Sequence, residues 1–291
     1  MEQTMILQDG RQLGFIEYGD PFGVPLILLH GTPGSRIWFE TDDFAARDIG
    51  VRLIATDRPG FGLSDQQPSR TLIDYAADIK QLADYLLLPT FSVLGVSGGG
   101  AFAAAIAHKL SNRVDHCLLV SAATPFHNGK PPHDMSKENK IAFFLSKRLP
   151  FVMKWITNAQ RNMLFNKPDK YLQALKQGGG HLPQWDNAFL QDDAILRVTL
   201  VQNQEAFRQG VDGTLYESQL LTKDWGFTLQ DVHVPLHIWH GEADTLSPIS
   251  EMKRLAEQLP HAKTYFIANG GHFLTEDEQL WKEMLQTVVA K

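Results

Sequence analysis

Gly95-Val96-Ser97-Gly98-Gly99 lies between the apolar run Phe91-Ser92-Val93-Leu94 and the stretch Ala101-Phe102-Ala103-Ala104-Ala105-Ile106-Ala107. The first run has the composition of a short strand, and the last that of a strong helix former. A serine on so tight a strand-to-helix turn is forced into a strained backbone, with its hydroxyl lifted clear of the sheet edge. The positions two residues to either side must be almost free of side chain, and they are Gly95 and Gly99. The following helix begins here, so its unpaired N–H groups and positive end face the same point. This pattern marks Ser97 as a candidate nucleophile.

The chain has 291 residues, 43% of them hydrophobic, enough for one large α/β domain or a core with an inserted lid. A net charge of −6 offers no basic patch for nucleic acid and disfavours anionic membrane surfaces. The one cysteine, Cys117, excludes an internal disulfide and reads as a buried, inert thiol in Cys117-Leu118-Leu119-Val120. Residues 1–10 lack the basic start and apolar stretch of a signal peptide, and no run reaches transmembrane length. The expectation is a cytoplasmic protein with a small-molecule substrate and neither nucleic acid nor membrane as partner; oligomeric state stays open.

Around the Asp9-Gly10 turn, Thr4–Leu7 and Gly14–Tyr18 are expected to pair as a hairpin. Apolar strands alternating with helices follow. Pro25–Leu29, Val51–Ala55, Phe91–Val96, Val114–Val120, Pro235–Trp239 and Thr264–Ile267 read as strands; Thr71–Leu86, Met252–Leu259 and Glu276–Val289 read as helices. This is the grammar of a mostly parallel sheet covered on both faces. It breaks between about Thr124 and Asp231. His127-Asn128-Gly129-Lys130-Pro131-Pro132 has a linker's composition, and helical segments follow at Lys137–Lys147, Phe151–Leu164, Pro168–Gln177, Asn187–Gln209 and Thr214–Lys223. Gly178-Gly179-Gly180 is expected to form a flexible joint between two of them. The division is therefore a core of residues 1–124 and 232–291 and an inserted helical cap of residues 125–231. Such a cap would lie over the carboxyl ends of the strands, where open α/β sheets bind ligands.

A serine nucleophile needs a base, and the base an orienting acid. His272, in Asn269-Gly270-Gly271-His272-Phe273 after the last strand, is the candidate base. Asp244, closing His240-Gly241-Glu242-Ala243-Asp244 beyond the preceding strand, is the candidate acid; Asp224, Asp231 and Glu242 are other acids nearby. One helix and one strand separate the two loops, which would set them side by side. His30-Gly31-Thr32-Pro33-Gly34 forms a turn after a buried strand. The backbone amides of Thr32 and Gly98 are then placed to bind an oxyanion. His30 and His240 read as loop braces, as do Asp57 and Arg58. No H-E-x-x-H and no cysteine pair occurs, so no metal site is expected, and the serine, histidine and aspartate chemistry needs no cofactor.

These pieces, with Asp57-Arg58-Pro59-Gly60-Phe61-Gly62-Leu63-Ser64, resemble the α/β-hydrolase superfamily in its branch with a helical cap. The resemblance implies a Ser97–His272–Asp244 triad, an oxyanion hole from Thr32 and Gly98, and no cofactor. Many relatives carry a bulky residue after the nucleophile; Gly98 is expected to leave open space beside Ser97. A serine at this position also speaks against dehalogenase and epoxide hydrolase activity, which use aspartate there. The cap carries Phe143, Phe144, Phe151, Trp155, Phe165, Trp185, Phe189 and Phe207, expected mostly to pack its helices and in part to line an apolar pocket. The expected activity is hydrolysis of a small, largely apolar carboxylic ester through an acyl-enzyme. An amidase or iminopeptidase, a carbon–carbon bond hydrolase, a cofactor-free perhydrolase and a slow-turnover ligand receptor would use the same residues.

Overall fold

In the computed structural model, which describes residues 2–126, 129–178 and 182–290, eight strands form one sheet. They are β1 (Gln3–Ile6), β2 (Gln12–Gly19), β3 (Val24–Leu29), β4 (Val51–Thr56), β5 (Phe91–Val96), β6 (Val114–Val120), β7 (Leu236–Gly241) and β8 (Ala262–Ile267). Their order is β1-β2-β4-β3-β5-β6-β7-β8; β1 and β2 run antiparallel as a hairpin, β2 pairs antiparallel with β4, and all other pairs are parallel.

The unbroken apolar strands serve two cores at once. In β3, Ile27 and Leu29 face one core with α2 (Tyr75–Tyr85) and α3 (Gly98–Lys109), while Leu26 and Leu28 face the other with α1 (Asp43–Ile49). The second core also takes Trp281, Met284 and Leu285 from α11 (Glu278–Val289), the last helix of the chain. Successive strand side chains point to opposite faces, so a strand covered on both sides must be apolar throughout. Cys117 is fully buried in this sheet, and burial pushes its thiol pKa well up, as an inert packing residue requires.

The segment between β3 and β4 holds a 3-10 turn, Arg36–Asp42, and then α1. No element was expected there, because only Phe39 and Ala46 in it are fully buried apolar groups. The predicted helix from Thr71 starts instead at Tyr75, since Asp74 folds back to bond the Thr71 N–H and hydroxyl.

Among the described residues, six α-helices lie between β6 and β7: α4 (Lys137–Arg148), α5 (Pro150–Asn166), α6 (Pro168–Gly178), α7 (Gln184–Gln191), α8 (Asp193–Ala206) and α9 (Asp212–Leu221). α10 (Ile249–Ala256) then joins β7 to β8. The single helix expected over Asn187–Gln209 is two. Asp192 breaks it with extended backbone and caps α8 by accepting the Ala194 and Ile195 N–H groups at 2.7 and 3.2 Å. His127 and Asn128 of the expected linker, and Gly179 and Gly180 of the expected joint, lie outside the described residues. Among the described residues, no helix is long and apolar enough to cross a membrane.

At the turn from β5 into α3, a Cβ on Gly99 would overlap the carbonyl oxygens of Leu29 and His30, and one on Gly95 would overlap Gly99. Gly99→Ala is therefore expected to destabilise the chain by about 1–3 kcal/mol or more, read as a lowered urea midpoint.

Candidate active site

Ser97 sits where β5 ends and α3 begins, with φ 54° and ψ −122°. A side chain in that region of backbone space costs on the order of 1–3 kcal/mol and persists only where its surroundings over-determine it. They do so here: Ser97 N–H donates to Val120 O at 2.9 Å, and Ser97 O accepts from Gly100 and Ala123 N–H at 3.0 and 2.9 Å. Ser97 thus stands at the carboxyl edge of the sheet, on the wall of a cavity.

His272 follows β8 in the tight turn Gly270-Gly271. Its Nδ1 is 2.8 Å from Asp244 Oδ2, and Asp244 follows β7. The other Asp244 oxygen accepts the N–H groups of Leu246 and Ser247 at 2.8 and 2.9 Å, so the carboxylate is held from both ends. Burial opposes ionisation of Asp244, yet the His272 and His240 rings and the Ser247 N–H hold its pKa below the ordinary carboxylate value. Burial likewise works against a charged His272, but Asp244, then Asp186, raise that imidazole above the usual histidine value. With Nδ1 engaged, Nε2 is the ring nitrogen left for chemistry.

The rival acids are occupied elsewhere. Glu242 pairs with Lys253, Asp231 closes a 3-10 turn with Thr228, and Asp224 accepts the Gly226 N–H. His30 and His240 act as braces: His30 Nδ1 lies 2.7 Å from Gly31 O, His240 Nε2 lies 2.7 Å from Ser247 O, and burial holds both pKa values down.

Ser97, Thr32 and His272 share the wall of one cavity of about 500 Å³ between the sheet edge and the helical insert. Trp38, Leu182, Phe189, Leu190 and Ile195 make much of it apolar. A second cavity of about 210 Å³ adjoins it, taking in Ser97, Thr32 and Gly98 with Met135, Phe143 and Leu221. Neither the Thr32 nor the Gly98 N–H finds an acceptor among the described residues, and Gly98 opens α3. Of the eight aromatic residues named above in the insert, Phe189 and Phe143 line these cavities, Phe207 is buried within the insert, and Trp185 packs on the core. Phe144, Phe151, Trp155 and Phe165 are instead exposed to solvent, contrary to the expectation that most would pack.

The open space next to Ser97 is the second cavity, but it does not extend over Gly98 itself, because a Cβ there would overlap Thr32 Oγ1 and press on Leu221 Cδ1 at 3.1 Å. Thr32 cannot yield easily. Its hydroxyl donates to Glu217 Oε2 at 2.8 Å and accepts from Arg58 Nη2 at 3.0 Å. Arg58, fully buried, makes a bidentate pair with Glu217 at 2.8 and 2.7 Å and donates to the carbonyls of His30 and Gly31. A second buried cation, Arg36, bridges Asp57 at 2.8 Å and Glu205 at 2.6 Å. Glu217 and Glu205 belong to α9 and α8, so the insert holds the turn that carries Thr32. Neither acid has a motif; the only signal was a pair of arginines in core loops that needed counter-charges.

The family described as alpha/beta hydrolase fold matches residues 24–279. An AB hydrolase superfamily protein, YisY of Bacillus subtilis, is 27% identical over 278 residues, 92% of this chain and 91% of that protein. The bifunctional esterase/perhydrolase DCH of Acinetobacter calcoaceticus is 25% identical over 96% of each chain. The structure of an esterase from Exiguobacterium antarcticum superposes with a TM-score of 0.70 at 20% identity, covering 100% of both chains.

Glu217→Ala would strand Arg58 in the interior without its carboxylate. The expected loss is about 3–5 kcal/mol in urea unfolding, with an unchanged slope.

Proposed function

Because the chain belongs to the alpha/beta hydrolase fold family, we propose that it is a serine hydrolase cleaving a small, largely apolar carboxylic ester through an acyl-enzyme on Ser97. The observation that carries this reading is the Asp244–His272 hydrogen bond beside a cavity whose wall also holds Ser97 in its strained turn. The core of residues 1–124 and 232–291 supplies the reacting groups, and residues 125–231 cap the site.

In the reaction, the Ser97 hydroxyl attacks the ester carbonyl while His272 Nε2 takes its proton. Charge moves onto the carbonyl oxygen, where the Thr32 and Gly98 N–H groups receive it. Asp244 keeps the imidazole proton on Nδ1 and stabilises the ring while it is charged. The tetrahedral adduct collapses as His272 gives its proton to the leaving alcohol oxygen. Water, deprotonated by the same ring, then attacks the acyl carbon, and a second collapse returns the proton to Ser97 and frees the acid. The apolar lining from Trp38, Leu182, Phe189 and Ile195 favours an uncharged substrate over a phosphorylated one.

Similarity to an esterase/perhydrolase along 96% of the chain supports one variation. Hydrogen peroxide in place of water would attack the same acyl-enzyme and release a peracid, which product analysis in peroxide would detect.

Ser97→Ala is expected to abolish labelling by a fluorophosphonate and turnover of aryl esters. Asp244→Asn is expected to lower kcat on the order of 10⁴-fold by favouring the wrong tautomer. Because His272 must be neutral to accept a proton and its pKa is raised, the acid limb of the kcat/KM profile should lie above pH 6.5. Full turnover by Ser97→Ala sinks the reading.

A further inference from the structure

α7 of the insert sends one carboxylate to the turn that carries His272. Asp186, in the first turn of α7, is fully buried. Its Oδ1 accepts the backbone N–H of His272 at 2.7 Å and that of Phe273 at 3.0 Å. Next to it, Trp185 Nε1 donates to Phe273 O at 3.4 Å, so two consecutive insert residues grip the same backbone. The turn is shaped for this contact. A Cβ on Gly271 would overlap the Asp186 carboxylate, and a Cβ on Gly241 at the end of β7 would overlap the Gly270 and Gly271 carbonyls. The Gly270-Gly271-His272 backbone is therefore wedged between the sheet on one side and a cap acid on the other. The second oxygen, Oδ2, is buried with no hydrogen-bond partner among the described residues. An unpartnered carboxylate oxygen in the interior is costly, and its retention calls for a reason.

We propose that Asp186 is a positioning residue for His272: it fixes the histidine's backbone and adds a second negative charge beside the imidazolium formed during catalysis. The proposal rests on the reading of His272 as the base. Two carboxylates then divide the work. Asp244 binds Nδ1 and sets the tautomer, whereas Asp186 holds the main chain from which the ring projects. The charged or titratable groups around it are few. Asp244 and His272 face it; His240 stands behind Asp244, and Glu276 follows His272 on the next short turn. Burial raises the Asp186 pKa, the two N–H groups and His272 oppose that rise, and Asp186 in turn raises His272. Removing its charge must then lower the histidine pKa. The consequence is that the insert takes part in general base catalysis without touching substrate.

Two substitutions separate the parts. Asp186→Asn keeps the shape and an oxygen acceptor but removes the charge; the acid limb of kcat/KM is expected to move to lower pH with an unchanged unfolding midpoint. Asp186→Ala also releases the backbone, and kcat is expected to fall on the order of 10²-fold with little change in KM. The rate of fluorophosphonate labelling at Ser97 should fall in parallel, since it reports the base without a chosen substrate. An acid limb that stays at the wild-type position in Asp186→Asn, or a kcat within about twofold of wild type in Asp186→Ala, overturns the proposal. His272→Asn is the control for the underlying reading: wild-type labelling of Ser97 in that variant would refute the base itself, whatever Asp186 does.

Discussion

A left-handed serine at the end of a buried strand can be held only if the backbone around it closes to contact distance. That constraint organises the centre of the molecule. The Ser97 turn requires Gly95 and Gly99 to lack side chains because each faces main-chain atoms directly. Gly100 must be bare as well, since the methyl group of Ala122, two residues past β6, stands where its Cβ would be. The neighbouring strands β3 and β6 are thereby drawn against the start of α3, and their ends deliver the Thr32 turn and the Ala123 N–H to the serine. The strain at one residue is spread over three strands and a helix, none of which could shift alone.

The features that could be read from the string were those that such close packing writes locally. Asp244 and His272, 28 positions apart, are marked by their places after two consecutive strands; glycine spacing around Ser97 and unbroken apolar strands each reflect a short-range requirement. The hairpin at Asp9-Gly10 is another, and its register follows with Thr4 opposite Gly14. What could not be read were partnerships across long stretches of chain. Asp186 reaches a loop 86 positions away, and Glu217 reaches Arg58 across 159. Nothing near either acid distinguishes it from a solvated helix residue. Gly98 is a related case: a missing side chain says nothing of which distant group comes close to it, and here it is the Thr32 hydroxyl.

The insert also proves to be tied to the core by polar groups more than its apolar composition suggested. Glu205 meets Arg36, Glu217 meets Arg58 and Arg70, and Gln209 donates to the carbonyls of Gly62 and Ser64 at 2.8 Å. Tyr216 adds a hydrogen bond to Arg70 O at 2.9 Å. Buried pairs of this kind contribute little net stability compared with apolar packing, but removing one partner is severe. They are directional as well. A guanidinium held in a fork by a carboxylate fixes position and angle together, which apolar contact does not.

The pairing of core arginines with insert acids bears on how such chains can be recombined. Exchanging residues 125–231 for helices that lack Glu205 and Glu217 would leave Arg58 without its carboxylate and Arg36 with its core partner Asp57 but without Glu205. The reciprocal graft would need a scaffold that offers Glu205 and Glu217 matching cations. Swapped modules would have to be matched in charge at the seam before any comparison of substrate preference meant anything, and lineages that diversify this region must change both sides of the seam together.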